Sequence, residues 1–362
     1  MLKRLESSGR RVLASFIRRG FRAEAVRDRI PDGSALRSIL IMRWDAIGDM
    51  MVCLPYFRKV REAFPDARVG IVVSKRNMPL LRYERGFRTI LHDSSPGVYL
   101  ASLRKAREFR PDAVVDTRMH YDSTTSFIYG ALSGARWMLS ARNSRNGLPF
   151  NVRVPMPDFR MHNADMTRLL LEGLGRPIDD LELDRQVRLS SEELEFAADF
   201  WRRVGLGLRG RCVGINMSAR DPRHRWPENS VEELGVRLLE LGKRPVLFSI
   251  PSGRDPAVAI ASRHPGVIVA PECPTILHAA ALVRDLAMFV TPDTGLVHVS
   301  SSYEIPTVGL YVPNEEHLPL WFPWRVESEI LMDPESVHGI TVGSVLGAVV
   351  RLSRRTGALE QE

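Results

Sequence analysis

Three short stretches put residues capable of acid–base or phosphate chemistry where a turn meets a helix. The first is Arg43-Trp44-Asp45-Ala46-Ile47-Gly48-Asp49. With one glycine it is no GxGxxG dinucleotide fingerprint. It offers Asp49, which suits either of two tasks: capping a helix N–H, or taking a proton as a general base. The second, residues 216–227, sets Ser218 ahead of Arg223, His224 and Arg225, with Trp226-Pro227 behind them. Cations so grouped suit a phosphate, since one arginine can grip two oxygens. The plainer reading is a solvated loop whose Trp226-Pro227 packs against the next helix. The third is Thr291-Pro292-Asp293-Thr294-Gly295-Leu296-Val297-His298. Thr294 and Gly295 would present backbone N–H groups at a helix N-terminus, a ready anion site. Asp293 reads as an N-cap, and His298 as either a ligand contact or a buried, satisfied imidazole.

Each turn follows an apolar run, and these runs set the architecture. Strand-like runs occur at 39–42, 69–73, 113–116 and 136–139, with helical segments between several of them. After residue 48 the stripe Cys53, Tyr56, Phe57, Val60, Phe64 predicts a buried helix face. Pro55 predicts that this helix bends or properly begins near Leu54. Residues 140–160 read as loop or irregular edge, 163–174 as helix, and 177–188, with four acids, as linker. The rhythm then restarts. Helices are predicted at 191–204, 231–241, 256–262, 275–283 and 295–302. Strands are predicted at 212–216, 245–250, 267–270, 286–290 and 307–312. Strands alternating with helices imply α/β domains with parallel sheets. Two such series predict two facing Rossmann-like domains, 38–180 and 181–362, with a cleft between the strand ends where ligands bind.

Bulk properties narrow the function. The chain has 362 residues, 44% of them hydrophobic and 26% charged, as in ordinary globular proteins. No apolar run approaches the ~20 residues that span a bilayer, and arginines 18, 19 and 22 interrupt any signal-peptide core. The expectation is a cytoplasmic protein. Cys53, Cys212 and Cys273 form no CxxC pair or disulfide framework. Residues 1–37 hold ten Lys/Arg against four acids, so the other 325 residues carry only +2 of the net +8. That argues against a nucleic-acid groove on the main fold. Within the tail, Val12, Leu13, Phe16, Ile17 and Phe21 recur at helical spacing among arginines. A basic amphipathic helix of this kind can lie on an anionic membrane, pack on the first domain, or remain an arm.

The order of the three turns resembles glycosyltransferase family 9, the ADP-heptose:lipopolysaccharide heptosyltransferases. The matching pieces are R-x-D-x-x-G-D at 43–49, P-x-F-x-x-x-R and F-P-x-A within 55–67, the basic-W-P element at 223–227, D-T-G-L-x-H at 293–298, and I-P-T-V-G-L-Y at 305–311. The resemblance covers roughly residues 38–325. It implies a GT-B architecture, acceptor on the first domain and nucleotide sugar on the second, with inverting, metal-free transfer of a heptose from an ADP-activated donor to a lipid A–core acceptor. Carried over, Asp49 is the general base, with Arg43 and Gly48 on the acceptor side. Ser218, Arg223, His224, Arg225, Asp293, Thr294, Gly295 and His298 fall on the donor side. The family usually has a lysine two residues before the tryptophan; here His224 stands there, between two arginines. No apolar-flanked DxD pair is present, and the donor is a substrate, so no cofactor or metal is expected. The basic tail, residues 1–35, would hold the enzyme to the inner leaflet. Two other readings share these features: a GT-B-fold nucleotide-sugar epimerase, which would turn over without acceptor, and a basic-tailed membrane-surface or nucleic-acid binding module, which would not depend on Asp49.

Overall fold

The computed structural model describes residues 30–119, 123–142, 148, 150–158, 160–250, 253–313 and 320–359. The amphipathic helix expected in the basic tail lies outside them. The chain divides between Asp184 and Arg185 into two compact units.

The first unit carries β1 (Ser38–Met42), α1 (Ile47–Ala63), β2 (Arg68–Val73), β3 (Phe87–Leu91), α2 (Pro96–Phe109), β4 (Ala113–Asp116), α3 (Thr124–Ser133), β5 (Trp137–Ala141), β6 (Val152–Val154) and α4 (Asn163–Glu172). Its six strands pair in parallel in the order β3-β2-β1-β4-β5-β6. β1 is buried at every position and apolar from Ile39 to Met42, as a strand covered on both faces must be. Two expectations change here. Pro55 sits inside α1, which begins at Ile47, not near Leu54. The backbone bond lost at a helix-interior proline costs about 3 kcal/mol. The buried stripe of Cys53, Tyr56, Phe57, Val60 and Phe64 offsets it. Residues 140–160 are not wholly irregular, because β6 pairs with β5 there.

The second unit carries α5 (Ser191–Val204), β7 (Cys212–Asn216), α6 (Glu228–Glu240), β8 (Arg244–Phe248), α7 (Arg254–Arg263), β9 (Ile268–Val269), α8 (Ile276–Val283), β10 (Met288–Pro292), α9 (Gly295–Ser302), β11 (Thr307–Tyr311), β12 (Ser328–Met332) and α10 (Val342–Thr356). The sheet order is β12-β11-β10-β7-β8-β9, again all parallel. α6 starts at Glu228, directly behind Trp226-Pro227, and β10 ends two residues later than its apolar pattern suggests.

Both units thus have the doubly wound α/β fold that the alternation predicts. In each, the chain order reverses between two neighbouring central strands, β1 and β4 in the first sheet and β7 and β10 in the second. The crevice beyond such strand ends is where open α/β sheets bind ligands. All three chemistry-bearing turns leave from these four strands. Among the described residues no helix is long and apolar enough to cross a membrane.

Candidate active site

In the first unit the site is built around a buried arginine. Arg43 follows β1 directly, and its side chain is 2% exposed. Its Nε–H donates to the Asp49 carbonyl at 3.0 Å and its Nη1 to the Thr117 carbonyl at 2.9 Å. Nη2 lies 3.4 Å from Asp49 Oδ1. Asp45 stands 3.4 Å from Nε, yet its Oδ1 makes no hydrogen bond, because that N–H is given to the Asp49 carbonyl. The loop is held from behind by Asn77, whose Nδ2 donates to the Arg43 carbonyl at 2.9 Å.

Asp49 is therefore not the N-cap of α1. Ala46 occupies that position, and Asp49, three residues on, reaches back to accept the Ala46 N–H through Oδ2 at 2.8 Å. This is the acidic half of a capping box. It fixes one carboxylate oxygen while Arg43 fixes the other. Burial pushes the Asp49 carboxyl up; Arg43 opposes that and Asp45 adds to it, leaving it at about 6. A carboxylate so tuned is ionised at neutral pH yet far more basic than one in water, as a general base should be. Gly48 lies in the same first turn, partly exposed.

Asp116, which sequence reading passed over as a site residue, ends β4 opposite Met42. It accepts backbone N–H groups from Ser123 at 2.9 Å and Arg118 at 3.3 Å. Burial drives its carboxyl up to about 7. Arg118 lies over the Trp44 ring, 4.7 Å from its centroid, and 3.9 Å from Asp45. Trp44 in turn meets His92 at 5.1 Å. The only sequence signal for Asp116 was an acid closing an apolar run.

The second unit's site turns on Asn216, the last residue of β7. Its Nδ2 donates to Thr291 Oγ1 at 3.0 Å and to Thr294 Oγ1 at 3.1 Å, while Oδ1 accepts the Ser218 N–H at 2.9 Å. One buried amide thereby ties the 218 loop to the 291–294 turn. Ser218 Oγ accepts the Ile250 N–H at 2.8 Å, drawing the end of β8 into the same assembly. Asp293 is not a cap either: Thr294 caps α9, accepting the Leu296 N–H. That frees the Asp293 carboxylate, which burial pushes up and nearby His224 pulls down.

The basic cluster divides three ways. Arg223 pairs with Asp221 at 2.9 Å, largely in solvent. Arg225 donates to the Ala219 carbonyl at 3.2 Å. His224 is the member within electrostatic reach of Asp293. Trp226 belongs to the core, 2% exposed, its indole N–H donating to the Ile340 carbonyl at 3.0 Å, so here the packing alternative holds. His298 is buried, and its Nδ1 has no partner. Burial lowers its pKa to about 4, so the ring is neutral at physiological pH. It is not the satisfied imidazole of the plainer reading. Trp321 lies edge-on at 5.9 Å. Among the described residues no three His, Cys, Asp or Glu side chains come together as a metal-binding group.

Chemically, one unit offers a tuned carboxylate and the other a helix N-terminus with His224 near its Asp293 and a neutral imidazole, His298, in its first turns. A family model, glycosyltransferase family 9 (heptosyltransferase), matches residues 136–339, more than half the chain. A lipopolysaccharide core heptosyltransferase of Haemophilus influenzae, OpsX, is 21% identical over 286 residues, 76% of this chain and 79% of that protein. The family 9 glycosyl transferase structure from Veillonella parvula superposes with a TM-score of 0.75 at 20% identity, covering 91% of this chain and all of that one. Escherichia coli heptosyltransferase WaaC, solved with ADP-2-deoxy-2-fluoro heptose, gives 0.67 at 18% identity, over 87% of this chain and 99% of its own. The structural likenesses bear on the fold, and it is the GT-B fold of these enzymes.

Proposed function

The chain belongs to glycosyltransferase family 9, the heptosyltransferases, and from that premise we propose that it moves a heptose from ADP-heptose to a lipopolysaccharide core acceptor, with inversion and without a metal. The observation that carries the reading is Asp49: a carboxylate fixed at both oxygens by Ala46 and Arg43 and raised to about 6. An inverting transfer is one in-line displacement. The acceptor hydroxyl attacks the anomeric carbon, the bond to the ADP diphosphate breaks, and Asp49 takes the hydroxyl proton as the new bond forms.

Negative charge grows on the departing diphosphate. The N–H groups at the start of α9, with His224 near Asp293, are the donors that would meet it in the second unit. His298, neutral, serves as a hydrogen-bond partner to the donor. ADP-heptose is favoured by the ADP-heptose analogue in the WaaC structure, and the core acceptor by OpsX. Such an acceptor places the reaction at the cytoplasmic face of a membrane, where the basic segment 1–35 would meet anionic lipid.

The test is transfer from ADP-heptose to a core acceptor by wild type and Asp49→Asn, with donor binding measured by calorimetry. The Asn variant should lose roughly 10²–10⁴-fold in kcat while keeping its donor affinity. Normal transfer by that variant would remove Asp49 as the base. Turnover with a UDP- or GDP-sugar in place of ADP-heptose would reassign the donor.

A further inference from the structure

We propose that the β3 edge of the first unit, together with the outer side of α2, is a docking surface for an anionic lipid bilayer. The inference rests on charge and exposure, not on the transfer reaction. Residues 75–110 hold nine Lys/Arg against three acids, a net +6. The chain as a whole is +8 and residues 1–37 account for +6, so everything else is net −4. The body of the protein is thus not evenly near-neutral: its net positive charge falls in residues 75–110, the stretch that carries β3 and α2.

The structure presents that charge outward. Of the three acids, Glu84 is 2% exposed and bound to buried Arg58. Glu108 pairs with Arg104 at 2.8 Å, and Asp93 accepts the Ser95 N–H. On α2 the inward stripe is Ser102, Ala106 and Phe109. Arg104, Lys105 and Arg107 remain exposed on the rest of the helix. β3 is the end strand of its sheet, with Arg88 and Thr89 exposed. Both α2 and the turn Met78–Leu81 pack on β3, which makes these three segments neighbours.

Charge alone could be protection of a sheet edge against pairing with another chain. Two apolar side chains argue for a partner instead: Leu100 is 65% exposed on α2 and Met78 41% exposed beside β3. A basic surface bearing isolated apolar anchors fits the boundary between lipid headgroups and acyl chains, with arginine stems lying along the apolar side. A single-stranded nucleic-acid surface would draw on exposed aromatic rings for stacking, whereas the exposed anchors here, Leu100 and Met78, are aliphatic.

The experiment measures co-sedimentation of the full chain with phosphatidylcholine vesicles, with and without phosphatidylglycerol, at about 0.15 M salt. Two variants are compared with wild type: Arg104→Glu/Lys105→Glu/Arg107→Glu, and Leu100→Asp. All four side chains are exposed, and unchanged thermal melting verifies the fold. The charge variant should lose at least roughly tenfold in affinity for phosphatidylglycerol vesicles, and Leu100→Asp should weaken binding to the same vesicles. Wild-type binding by both variants would overturn the proposal, leaving membrane attachment to residues 1–37. A loss seen with a single-stranded RNA oligonucleotide but not with vesicles would also overturn it. Because no sugar transfer is measured, this result stands or falls separately from the assignment of the reaction.

Discussion

Arg43 holds Asp49 at both ends, donating its Nε–H to the Asp49 carbonyl at 3.0 Å and lying with Nη2 3.4 Å from the carboxylate. The arginine emerges from β1 and the aspartate sits in the first turn of α1, so the pair locks strand and helix together at the point where chemistry is proposed. Because the guanidinium gives N–H groups to Asp49 and to the Thr117 carbonyl, we propose that its task is to place the carboxylate.

The first expectation concerns pH. Asp49 must be ionised to take a proton, and its carboxyl lies at about 6. On the acid side kcat/KM should therefore fall about tenfold per pH unit below roughly 6. An unperturbed aspartate would hold the rate down to about pH 4. A pH–rate profile between 4.5 and 8, taken at fixed ionic strength, separates the two.

Arg43→Lys keeps the charge but loses the planar fork that reaches Asp49 and Thr117 together. We expect kcat to drop roughly 10- to 100-fold, with donor KM nearly unchanged. Arg43→Gln, which removes the charge as well, should move the acid limb to higher pH, since the Coulombic pull of Arg43 is what draws the Asp49 carboxyl down. A slower variant with an unmoved acid limb would mean that Arg43 only packs.

Asn216→Ala removes the amide that binds Thr291, Thr294 and the Ser218 N–H. Stability should fall by about 1–3 kcal/mol, the usual result of stranding buried polar partners. Donor KM should rise while acceptor KM stays put. Calorimetric titration with ADP, alongside thermal melts, tests both halves.

Asp116 gives a stability signature. Its folded-state carboxyl is at about 7, well above the unfolded value near 4. In that window the native chain binds a proton that the unfolded chain has released, so stability falls as pH rises from about 4 to about 7 and then levels. Asp116→Asn, which carries no such proton, should show a flatter melting temperature across the same range. Parallel curves for wild type and variant would contradict this.

Much of the scaffold was legible because central strands of parallel sheets are buried on both faces and read as unbroken apolar runs. β1, β4, β7 and β11 fall where the pattern puts them, and α5 and α9 match it at both ends. The edges were harder. β3 exposes two successive residues, Arg88 and Thr89, and buries only Ile90, and β6 is Val-Arg-Val. A strand with one open side needs no continuous apolar run, so its sequence resembles loop. β12, partly exposed throughout, escaped for the same reason.

The site divides along a similar line. Sequence located Asp49 and the Asp293–His298 turn, because residue type and order along the chain are enough to mark a carboxylate or a helix start after a strand. It could not decide what each does locally. Ala46 and Thr294 hold the cap positions. Asp116 gains its meaning from burial at the end of β4, and Asn216 from Thr291 and Thr294, more than seventy positions away. Sequence by itself determined which chemical groups stand at the strand ends. Which of them are buried, paired and shifted in pKa was decided only by the parallel pairing of β1 with β4 and β7 with β10. Desolvation and hydrogen-bond geometry depend on neighbours in space, and a linear pattern does not record them.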